Sequence, residues 1–119
     1  MIRMSVEEGR APMDLDKAAR EFDEDRDFVK ELAAGFVDRV GEQVRIIRTA
    51  LEEGDAHAVR REAHSIKGGA ANICAYKLSA AARDLESAGK SGSLDKAFGI
   101  FRILEEEFRR LADYARNEL

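Results

Sequence analysis

Pro12 is the only proline in the 119-residue chain. Every segment after it therefore keeps its backbone donors and is free to be helical. Ala, Leu, Glu, Arg and Lys dominate those segments, and clusters of β-branched residues are short, which favours helix over strand. The expectation is an all-α fold, and apolar spacing marks where each helix begins and ends.

Asp14 suits the N-cap of a short helix carrying Leu15, Ala18, Ala19 and Phe22 on one side. The acidic run Asp23-Glu24-Asp25 reads as a break, with Asp25 or Asp27 capping the next helix. Phe28, Leu32, Phe36, Val40, Val44, Ile47 and Leu51 then recur at helical spacing, enough for about seven turns. Gly35 and Gly41 each weaken that helix by up to about 1 kcal/mol relative to Ala and are read as positions of close packing. Gly54 supplies a stop and Asp55 the next cap. A third helix, over residues 56–73, carries Val59, Ala63, Ile66, Ala70 and Ile73 on one stripe. A fourth pattern runs Leu78, Ala81, Ala82, Leu85, Ala88 and ends in Gly89-Lys90-Ser91-Gly92, a turn by composition. Ser93 is the expected cap of the last helix, with Leu94, Ala97, Phe98, Phe101, Leu104, Phe108, Leu111 and Ala115 inward.

Four substantial helices joined by short turns pack most economically as an antiparallel up-down-up-down four-helix bundle. Here a short extra N-terminal helix precedes it. Residues 13–119 form the bundle on this reading, and residues 1–12, without periodicity, a flexible lead-in.

The 24 acidic and 20 basic residues are spread along the chain and leave a net charge of −4, so nothing argues for nucleic acid. One cysteine excludes an internal disulfide. No apolar run approaches the roughly 18 residues of a membrane span, and no signal-peptide core is present. A cytoplasmic protein without membrane contact is expected. Walker, dinucleotide and hydrolase motifs are also missing.

The third helix carries the chemistry. Beside its apolar stripe lies a face with His57, Arg60, Arg61, His64, Lys67, Gly68 and Ala71. A histidine on a helix surface is most often only a solvated residue. Gly68-Gly69, however, costs about 2 kcal/mol of helix propensity with no packing role visible in the sequence, so something must compensate. A neutral imidazole is a competent nucleophile. Lys67 one turn on and the two arginines one turn back add positive charge, and Gly68 leaves the ring approachable. These are the needs of a phosphoryl acceptor that docks against another protein. His57 and His64 are about 10 Å apart along the axis, too far to share one ion, so no metal site is expected from them with Cys74.

His64-Ser65-Ile66-Lys67-Gly68, followed by Ala71-Asn72-Ile73, resembles the motif of histidine-containing phosphotransfer (HPt) domains. That pattern is roughly A-H-x-L-K-G, small residues, then an aliphatic residue, Gly and Ala. The resemblance takes in residues 25–115 with the flanking helices, and implies a four-helix bundle. It makes His64 the phospho-acceptor through Nε2, Lys67 the neutralising charge and Gly68 the opening for a partner. Glu86 falls in a Leu-Glu pair on the following helix, where the family's carboxylate or amide holds the other imidazole nitrogen. Arg60, Arg61, Ala71 and His57 become the docking rim. Response-regulator receiver domains or a hybrid histidine kinase are the implied partners of a monomeric carrier with no kinase activity of its own. It would need no cofactor, because Mg²⁺ would sit on the receiver. Cys74 departs from the pattern, which usually has Gly there, and is read as a packing variant. The alternatives are an HPt-like binding module that sequesters a receiver or kinase without being phosphorylated, a purely structural bundle, or a piece of a larger hybrid kinase. Met1 and a helix reaching the last residues favour a small complete protein.

Overall fold

The computed structural model describes residues 11–119, and the lead-in expected over residues 1–12 falls almost wholly outside them. The described residues form five helices and no strand. They are α1 (Leu15–Glu21), α2 (Arg26–Glu53), α3 (Ala56–Asn72), α4 (Tyr76–Ser91) and α5 (Leu94–Glu118). Helices α2 to α5 pack in a closed ring, each against the next and α5 back on α2, with α1 resting on α2. This is the all-α bundle with an extra N-terminal helix.

Local chemistry sets the boundaries. Carboxylates of Asp14, Asp25 and Asp55 accept from the backbone N–H of Lys17, Phe28 and Ala58 at 3.1, 3.0 and 3.0 Å, each satisfying an otherwise orphaned donor in a first turn. Gly54 closes α2 in the left-handed conformation, at φ 73°.

Three local expectations are corrected. Helix α4 continues through Gly89, Lys90 and Ser91, and only Gly92, at φ 77°, is the left-handed terminator. Ser93 occupies the N-cap position of α5 as expected, but its hydroxyl makes no capping bond; its N–H instead donates to Ser91 Oγ at 3.2 Å. Gly35 would meet nothing if it carried a β-carbon, and Gly41 only ordinary contact with Phe108 at 3.8 Å, so neither marks a close approach.

The core contains Val29, Ala33, Phe36, Val40, Val44, Ile47 and Leu51 of α2, the whole predicted stripe of α3, and Leu78, Leu85, Leu104 and Leu111. Two predicted core aromatics lie outside it. Phe28 is 42% exposed and Phe98 47% exposed. At the start of α2 the inward positions belong to Val29 and, one turn on, Ala33, and Phe28 turns to meet Phe22 edge-to-face at 5.4 Å. On α5 Ala97 and Phe101 face inward and leave Phe98 outside.

The α3–α4 turn holds a strained residue. Cys74 is buried, at φ 59°, a left-handed conformation that costs an L-residue about 1–2 kcal/mol. Glycine in the family pattern is thus explained by backbone conformation, and packing is only part of the account. Asp14 N–H donates to the Cys74 carbonyl at 3.0 Å, and the Lys17 ammonium lies 5.0 Å from the Tyr76 ring centre. The start of α1 therefore braces the turn that follows α3.

Candidate phosphotransfer site

Helix α3 runs past its neighbours with Ala63 and Ile66 buried, which turns His64 outward between them. The imidazole is 68% exposed, while the Glu86 side chain, on α4, is only 19% exposed. His64 Nδ1 lies 2.7 Å from Glu86 Oε2, and Lys67 Nζ lies 2.6 Å from Glu86 Oε1. One carboxylate thus joins two residues a helical turn apart on α3, using one oxygen for each.

The Lys67 hydrogen bond, and then that of His64, holds the Glu86 carboxyl below its usual range against the opposing effect of partial burial. Glu86 is therefore ionised at neutral pH and can only accept. Its partner Nδ1 must carry the hydrogen, which leaves the lone pair of the neutral ring on Nε2. That nitrogen lies on the solvent side of an exposed ring.

Gly89 makes the short reach possible. It is buried on α4 one turn after Glu86, and a β-carbon there would sit 2.9 Å from the backbone nitrogen of Arg60 and 3.1 Å from the Ala56 carbonyl oxygen. Absence of a side chain lets α3 and α4 approach closely beside the site. Ser79 Oγ adds a bond from α4 to the Lys67 carbonyl at 3.0 Å. Gly69, without a role in the sequence reading, receives the Phe36 ring, whose Cδ1 lies 3.0 Å from where its β-carbon would be. Neither glycine's role was visible locally, since the partner atoms belong to other helices.

The remaining predicted residues divide around His64. His57, Arg60 and Arg61 line, with His64 and Glu86, a surface depression of about 290 Å³. Gly68 and Ala71 are exposed on the opposite side, further along α3, and a β-carbon on Gly68 would meet nothing within 4 Å. Lys67 does not line the depression.

A family model described as the Hpt domain matches residues 31–114. The chain belongs to the Hpt family. Its Hpt fold is similar to the crystal structure of histidine-containing phosphotransfer protein B (HptB) from Pseudomonas aeruginosa PAO1, with a TM-score of 0.83 and 30% identity over 92% of this chain and 95% of that one. No curated protein sequence matches it. Histidine phosphotransfer in a phosphorelay is the function this membership carries, and receiver domains and histidine kinases are the partners of the family. No helix among the described residues is long and apolar enough to cross a membrane.

Proposed function

We propose that His64 carries the phosphoryl group, taken from an aspartyl phosphate of a receiver domain and passed to the aspartate of another receiver. The bond from His64 Nδ1 to Glu86 is the observation that carries this reading, because it leaves the nucleophilic lone pair on the exposed Nε2. In the transfer, Nε2 forms the N–P bond as the P–O bond to the receiver carboxylate breaks, and the carboxylate leaves with the electron pair. The Nδ1 hydrogen stays where it is. Positive charge that develops on the ring is met by the Glu86 carboxylate 2.7 Å away. The reverse step uses the same atoms.

Lys67 keeps that carboxylate ionised and supplies positive charge at the site. Gly68 and Ala71 leave the surface flat enough for a receiver to bring its aspartate onto the ring, and His57, Arg60 and Arg61 meet its edge. The chain acts as a monomeric cytoplasmic carrier without kinase activity of its own, consistent with the missing nucleotide-binding motif. Mg²⁺ belongs to the acidic pocket of the receiver. Among the described residues no group of three or more His, Cys, Asp or Glu is arranged to hold a metal.

The test is incubation with phosphorylated receiver domains. An acid-labile label that maps to His64 and is lost in His64→Gln supports the reading. A label retained by His64→Gln, or never acquired from any receiver, overturns it.

A further inference from the structure

The motif lysine is already committed. Lys67 Nζ lies 2.6 Å from Glu86 Oε1, and the two charges cancel on the Nδ1 side of the imidazole. A phosphoryl group on Nε2 projects from the other side of the ring and brings negative charge that this closed pair does not offset. The depression beside His64 is lined by Arg60, Arg61 and the Glu86 carboxylate, with His57 further back, and Lys67 is not part of it. Arg60 has no ion-pair partner among the described residues, and Arg61, with its side chain 57% exposed, bonds only the Glu62 carboxylate, at 3.1 Å, which is 15% exposed and also accepts from Gln43. At four and three residues before His64, both arginines stand one turn back along the same helix surface. Guanidinium groups bind phosphoryl oxygens in pairs.

We infer that Arg60 and Arg61 hold the phosphoryl group carried by His64, whereas Lys67 acts through Glu86 as a positioning residue. The inference rests on His64 being the acceptor. It moves the arginines from the edge of the docking surface into direct contact with the transferred group. Their contribution then persists when no protein partner is present. A phosphate-bearing small molecule can use the same depression.

Phosphoramidate separates these roles because it donates without a receiver. Nε2 forms the N–P bond as the donor P–N bond breaks, and the leaving nitrogen departs as ammonia. The measurement is the initial rate of His64 labelling, site-resolved by mass spectrometry, with phosphohistidine followed by ³¹P NMR. The combined variant Arg60→Gln, Arg61→Gln is expected to label roughly tenfold more slowly, the scale of losing a charge-assisted hydrogen bond. Arg60→Lys, Arg61→Lys should recover part of that rate. Labelling of the Gln variant at the parent rate overturns the inference and returns both arginines to a docking role. Lys67→Met is expected to slow labelling only through Glu86, so a loss in Lys67→Met that persists undiminished in a Glu86→Gln background overturns the inference by making Lys67 the direct phosphoryl contact. If His64 is labelled in no form of the protein, by phosphoramidate or by any receiver, the acceptor reading itself has failed.

Discussion

A β-carbon on Gly89 would lie 2.9 Å from the backbone nitrogen of Arg60. Arg60 precedes His64 by one turn and Glu86 precedes Gly89 by nearly one, so this crossing sets the separation across which Glu86 reaches the ring. The obstructing atoms are backbone, which cannot turn aside as a side chain might. Gly89→Ala should force α3 and α4 apart and cost a net 1–2 kcal/mol or so after the gain in helix propensity. Urea denaturation checks the stability. Loss of the His64–Glu86 bond should appear in the imidazole NMR signals of the folded variant.

Gly68 and Gly69 adjoin in sequence but should respond in opposite ways. Gly68→Ala adds a methyl group to open space and should keep or raise stability by up to about 1 kcal/mol. Gly68→Gln should remain folded while slowing transfer from a receiver, since its side chain stands in the approach to His64. Gly69→Ala drives a methyl group into the buried Phe36 ring and should lower stability by roughly 1–2 kcal/mol. Thermal melts alongside receiver-dependent labelling separate the two effects.

At Cys74 the backbone and the packing pull apart. Cys74→Ala keeps the left-handed strain and loses the buried sulfur. Cys74→Gly loses more atoms but removes a strain of about 1–2 kcal/mol. Ala should therefore be the less stable of the two despite being the larger. Paired urea titrations decide the order.

Glu86 links stability to acid. Its carboxyl titrates in the fold below its ordinary value of 4.5 because Lys67 and His64 bond it. The stabilisation is complete above that value and disappears as falling pH protonates the folded carboxyl. Glu86→Gln removes this acid-dependent part and should flatten stability against pH below 4.5. Its amide can still accept from Nδ1, but it sets an N–H₂ group against the Lys67 ammonium. Transfer at neutral pH should slow by about tenfold or more. Stopped labelling reactions measure the rate, and denaturation between acid and neutral pH measures the rest.

Much of this architecture was legible because its causes are local. Asp14, Asp25, Gly54 and Asp55 act on backbone groups within a few residues, and each reading agrees with its observed place. Phe28 was misassigned because a large apolar residue was counted ahead of Val29 and Ala33, and Phe98 because it was counted inward beside Ala97, although only Ala97 and Phe101 face the core there. Gly89 looked like a turn by composition, yet it is buried in a helix because α3 lies against it. The proximity of Glu86 to His64 could be expected from family likeness alone, since nothing local to either residue shows two helices meeting. The division of Glu86 between His64 and Lys67 needed three-dimensional distances.

The bond from His64 to Glu86 also offers a spectroscopic handle. A ring N–H held 2.7 Å from a carboxylate oxygen is deshielded and slowed in its exchange with water, and this one spans two helices. Its resonance would report the register of α3 against α4 together with the tautomer of the ring. Partner docking, phosphorylation and slippage of the bundle could then be followed through a single proton, without an added label.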